Sequence, residues 1–136
     1  MMTVEGLISL RSSVGPQQTI DRLKAELAAS GLTVFAEIDH AAGAAAVGLA
    51  LGPTTVVIFG NAKGGTPLMQ AAQTIGIDLP LKALVWQDAA GATWLSYNDP
   101  AWLVQRHAIA ERTKMVAANM STMLATVGKA ATSVAP

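Results

Sequence analysis

The sequence predicts an α+β domain, with about five strands and helices at their periphery. Three observations carry that prediction. Ile8 and Leu10 alternate with Ser9 and Arg11, and Val34, Ala36 and Ile38 alternate with Phe35, Glu37 and Asp39, so two strand-like segments flank a helical one. Thr54 to Phe59 is an unbroken, largely β-branched apolar run, the pattern of a central strand buried on both faces. Leu81 to Gln87 and Ala92 to Tyr97 flank Asp88-Ala-Ala-Gly91, which reads as a hairpin. Only one β-α-β unit is suggested, which argues against a doubly wound fold.

The elements follow in order. Gly6 to Ser12 forms a first strand, and Pro16 suits the first turn of a helix, where no amide donor is needed. Ile20, Leu23 and Leu27 recur at helical spacing, and Gly31 supplies the stop. Thr33 to Asp39 is the second strand, and Ala41 to Leu51 a short Ala-rich helix. After the apolar strand, Gly60 to Gly65 reads as a loop, with Thr66 and Pro67 as cap and first residue of a helix over Leu68 to Thr74. Asp99-Pro100 opens a final helical region whose stripe is Ile109, Val116, Met120, Met123 and Val127, with fraying expected from Thr126.

Composition sets the outer limits. A chain of 136 residues, 51% hydrophobic and 13% charged, has enough apolar surface for one domain with a core and is not a disordered chain. Nine basic and nine acidic residues cancel, which argues against nucleic acid or anionic lipid as a partner. From residue 100 onward Arg106, Arg112, Lys114 and Lys129 face Glu111 alone, so the first 99 residues carry a matching negative excess. Ends of opposite sign, and little net repulsion, favour self-association. The absence of cysteine removes disulfides and thiolate chemistry. The amino terminus lacks the charged start of a signal peptide, and the uncharged stretch from Ala41 to Ala62 is broken by Gly43, Gly48, Gly52, Pro53 and Gly60. A cytoplasmic protein with no membrane span is therefore expected.

Four groups of residues have chemical potential. Ile58 to Met69 holds a Gly-rich segment between strand and helix, where amides and Lys63 attract anions, although the spacing matches neither nucleotide fingerprint. A capped turn with a solvated Lys63 is the plainer use of the same residues. Asp39-His40 joins a carboxylate to an imidazole, yet neighbours on a strand point to opposite faces. With His40 and His107 as the only histidines and no HExxH, no metal site is expected. Asp78 and Lys82 flank an apolar strand, where Lys82 serves as a base or simply pairs with a carboxylate. Tyr97-Asn98-Asp99 ends the next strand and brings polar groups toward Lys82. Trp86 and Trp94 are placed to meet across the hairpin.

Together these segments resemble the family named domain of unknown function 302. The resemblance rests on Thr19 and Leu23, Val34-Phe35-Ala36, Ile38-Asp39-His40, Ile58-Phe59-Gly60-Asn61 with Lys63, and Gly65-Thr66-Pro67-Leu68-Met69. It continues through Ile77-Asp78-Leu79-Pro80-Leu81-Lys82, Tyr97-Asn98 and Arg106-His107, spanning about residues 4–110. Residues 111–136 are then a helical carboxyl-terminal extension of one domain, 1–136. The resemblance implies a β-α-β-β-β-β-α arrangement similar to TATA-binding-protein-like folds, and a homodimer. It implies no established activity.

The leading functional expectation is a homodimeric domain that binds a small anionic ligand, without a tightly bound cofactor. Its expected site residues are Asn61, Lys63, Thr66, Lys82, Tyr97 and Asn98. An enzyme with His40 or Lys82 as general base, partnered by Asp39 or Asp78, is one alternative. An interaction module docking through the carboxyl-terminal helix is another.

Overall fold

The computed structural model describes residues 3–133. Five strands, β1 (Leu7–Arg11), β2 (Thr33–Asp39), β3 (Thr54–Gly60), β4 (Leu81–Gln87) and β5 (Thr93–Asn98), form one sheet in the order β1-β5-β4-β3-β2. Every neighbouring pair is antiparallel. The helices are α1 (Pro16–Ala29), α2 (His40–Ala46), α3 (Ala62–Ala71), α4 (Pro100–Arg106) and α5 (Lys114–Thr132), with a 3-10 turn at Gln73–Ile77. The expected α+β architecture is thus present. Four antiparallel steps leave β1 and β2 running the same way at opposite edges, so α1, which joins them, crosses the width of the sheet.

One face of that sheet is the core. Val57 and Phe59 of β3, Leu81, Ala83 and Val85 of β4, and Leu95 of β5 point into it, beneath Ile20, Leu23 and Leu27 of α1. α5 contributes Ala117, Met120, Leu124, Val127 and Ala131 at helical spacing and packs along α1. Each fully buried Val, Leu, Ile, Phe or Met side chain contributes about 1.5–3 kcal/mol, and each alanine less. β3 is not buried on both faces as its composition suggests. Thr55, Val57 and Phe59 are buried while Val56 and Ile58 are only partly covered, because the α1–α5 layer lies against a single face.

Across the hairpin Trp86 and Trp94 stand in register with ring centroids 6.2 Å apart. Trp94 donates through Nε1 to Asp88, whose carboxylate also accepts from the Ala90 and Ala92 amides. These bonds, the indole's foremost, hold the Asp88 carboxyl below its ordinary range.

Helix α5 departs most from expectation. From Thr126 to Thr132 it does not fray, and the last three residues of the expected loose end, 134–136, lie outside the described residues; Val127, Gly128, Ala131 and Thr132 are all buried, and the Thr132 carbonyl accepts from the Ser13 amide at 2.7 Å. The small residues that suggested a loose end instead permit a close approach to the sheet. A β-carbon on Gly128 would lie 2.9 Å from Leu10 Cδ1.

Three helices close with the same pair of bonds. In α1 the Leu32 amide reaches the Leu27 carbonyl while Gly31 reaches Ala28, and in α2 Leu49 reaches Ala44 while Gly48 reaches Ala45. Gly31 and Gly48 take the left-handed conformation this motif requires, at φ 76° and 77°. Gly48 therefore stops α2 at Ala46, short of the expected Leu51. The third case divides the expected single carboxyl-terminal helix into α4 and α5: Ile109 reaches Val104 and Ala108 reaches Gln105, with Ala108 at φ 57°. Ile109, only 1% exposed, anchors the turn. A left-handed alanine costs about 1–2 kcal/mol, partly offset by the greater unfolded-state entropy of glycine. Ala108→Gly should therefore raise stability by about 0.5–1 kcal/mol, measured by urea unfolding; an unchanged or lower midpoint would contradict this account of the turn.

Candidate cavity between α3 and α5

Asn61 opens α3 in place of the expected Thr66. Its Oδ1 accepts from the Gly64 amide at 2.7 Å and its carbonyl accepts from Gly65 at 3.2 Å, so the Gly-rich segment is a first helical turn and not a loop. Pro67 consequently lies inside α3. This earlier start turns Lys63 and Thr66 onto the flank of a helix that faces the amino-terminal half of α5.

The two helices do not close on each other there. A cavity of about 660 Å³ remains between them, bounded by Phe35 of β2 and by Leu79, Pro80 and Leu81 at the entry to β4. Its wall is largely apolar, with Met69, Val116, Met120 and Met123 opposite Phe35 and Leu79. Asn61, Lys63, Thr66 and Asn119 supply polar groups at the exposed rim. Lys63 forms no ion pair among the described residues, and no aspartate or glutamate lines the cavity. The size lies within the range of small-molecule sites.

The other expected site residues lie elsewhere. Lys82 points to the less covered face of the sheet opposite Ile58, and its Nζ donates to the Asp78 carbonyl at 3.1 Å. Tyr97 is buried beneath the helices; burial first, then nearby Asp99, pushes its phenol up and keeps it neutral. Asn98 ends β5 opposite Leu7. Of the six expected ligand-binding residues, the fold gathers Asn61, Lys63 and Thr66.

Asp39 and His40 are side by side in sequence only. Asp39 caps α2 by accepting from the Ala42 amide at 2.9 Å, and His40 begins that helix exposed to solvent. Asp78 has a partner that sequence reasoning missed. Its carboxylate meets His107 Nε2 at 2.6 Å and Arg106 at 2.7 Å, while His107 Nδ1 meets the Thr74 hydroxyl at 2.8 Å. This network ties the 3-10 turn to the end of α4. No short-range spacing betrays it, since 29 residues separate Asp78 from His107. Among the described residues no three His, Asp or Glu side chains come together as a metal site.

The fold and cavity define a small α+β domain with an apolar recess beside its sheet. Residues 8–127 match the model of the family described as Domain of unknown function DUF302, and the chain belongs to that family. The match includes most of α5, in keeping with that helix's place in the core. The crystal structure of an uncharacterized conserved protein DUF302 from Bacillus stearothermophilus has the same fold, with a TM-score of 0.81 at 23% identity over 91% of this chain and 96% of that one. Two curated relatives carry the name Fluoride-specific ion channel FluC 1. Those of Brucella suis biovar 1 (strain 1330) and Brucella abortus biovar 1 (strain 9-941) are each 45% identical over 124 residues. That alignment covers 91% of this chain but 49% and 46% of theirs, so the chain spans about half the length of these relatives. No helix among the described residues is long and apolar enough to cross a membrane.

Proposed function

We propose that this domain is a homodimeric receptor that reversibly holds a small anionic ligand between α3 and α5. The observation that carries the reading is the 660 Å³ cavity with Lys63 at its rim and no carboxylate in its lining. Concave recesses of this size, open to solvent at one end and lined mainly by apolar side chains, are where small ligands ordinarily bind. In the alternative in which α5 docks a partner, Met120 and Val127 of its apolar stripe are already buried within the chain, which leaves Val116 and Met123, at the cavity wall, to meet that partner.

The channel name of the Brucella relatives is best assigned to the part of those proteins outside the alignment. Besides lacking a helix fit to span a bilayer, the described domain offers fluoride mostly hydrocarbon, which does not repay the loss of an anion's hydration.

Support for a second copy comes from the sheet edge. β2 is an edge strand, and Ile38 on it, with Val47, Leu49 and Leu51 just beyond α2, are exposed large apolar side chains. Grouped exposure of this kind marks an interface more often than a bare surface. By sedimentation equilibrium the wild type should weigh twice the chain mass and Leu49→Glu should weigh one; a wild-type monomer at micromolar concentration would remove the dimer.

The cavity is tested with 1-anilinonaphthalene-8-sulfonate, an apolar anion whose fluorescence rises when it leaves water. Wild type should enhance it, and Val116→Trp, which projects an indole from α5 into the recess and obstructs it, should lower the signal. The same substitution should change stability by less than about 1.5 kcal/mol, since it occupies space that is already open. Equal enhancement by both proteins would place the dye elsewhere and overturn the reading.

A further inference from the structure

We infer that the ligand of this cavity is a medium-chain monocarboxylic acid, its hydrocarbon tail among the methionines and its carboxylate at the Lys63 rim. The inference rests on the cavity being a ligand site and goes further by naming the chemistry that fits it.

A small inorganic anion would leave most of the recess unused and would face Met69, Leu79, Val116, Met120 and Met123, none of which replaces lost water. An aliphatic tail gains from those same contacts, and flexible thioethers adapt to its shape. The charge is set at the rim. Lys63 is the one cationic residue in the lining, which suits a single negative charge and lacks the arginine fork that favours phosphate. Asn61 has committed its Oδ1 to the Gly64 amide, so its side-chain NH₂ remains a donor beside Lys63. Asn119 faces the rim from α5, adding a second carboxamide. Polar donors thus collect at the solvent end of an apolar recess, and no aspartate or glutamate opposes a carboxylate there.

The test is calorimetric titration at pH 7 of wild type and Lys63→Gln with hexanoate, octanoate and 1-octanol, with dye displacement as a second readout. Octanoate should bind wild type about tenfold more tightly than hexanoate, since each added methylene contributes about three- to fourfold. It should also exceed 1-octanol by about tenfold. Lys63→Gln should bring octanoate down to the octanol level and leave octanol unchanged, which also shows that the exposed substitution has not disturbed the fold.

Equal binding of octanoate and octanol by wild type would overturn the carboxylate assignment while leaving the cavity as an apolar site. The same conclusion follows if octanoate affinity is indifferent to Lys63→Gln. Hexanoate equal to octanoate would overturn the placement of the tail. Dye enhancement unaffected by Val116→Trp, with no binding of any of the three, would overturn the cavity reading itself.

Discussion

One helix does two jobs, and the rest of the structure depends on it. A five-stranded sheet with an apolar face must be covered, and α1 alone cannot cover it. The carboxyl-terminal half of α5 completes the layer with Leu124, Val127 and Ala131, and Gly128 lets its backbone settle onto Leu10. The amino-terminal half of the same helix then overhangs α3. Val116, Asn119, Met120 and Met123 become one wall of the cavity because Val127 and Ala131 fix the helix behind them. Core and site are therefore parts of one packing arrangement.

That arrangement explains why the recess stays open. Its walls are held from behind: Leu68 on α3 and Leu124 on α5 are buried, so neither helix can shift inward without disturbing the core. The cap at Asn61 fixes where α3 begins and hence which of its residues reach the rim. The Asp78, His107 and Arg106 network holds the turn that precedes Leu79 and Pro80 on the far side. An open apolar volume forfeits dispersion contacts, and a rigid surround is what allows a fold to bear that cost.

Much of the fold was legible in the sequence, and the misses have physical causes. Strand alternation and the Gly31 stop placed β1, α1 and β2 to within a residue or two, because each signal is local. Gly48 carried the same stop signal for α2 that Gly31 carried for α1. Ala108 adopts the identical conformation without glycine, so the break between α4 and α5 left no mark; it is imposed by the burial of Ile109. Thr66-Pro67 imitated a helix start, but Asn61 offered a carboxamide five residues earlier and tertiary packing favoured it. The cavity was half legible. Asn61, Lys63 and Thr66 lie in one short segment and could be read together, whereas Val116, Met120 and Met123 join them only through the placement of α5. The stripe that holds Met120 and Met123 signals only that α5 packs on something, and nothing in its spacing marks the side that faces α3.

The central claim is that a ligand enters between α3 and α5, and methyl-labelled methionine resonances report on that space directly. The chain has six methionines; three of them, Met69, Met120 and Met123, line the cavity, while Met115 is 74% exposed outside it. Titration with octanoate should move the methyl signals of the first three along a common saturation curve and leave Met115 in place. Saturating octanoate that leaves those three unmoved, or moves Met115 alone, would contradict the account.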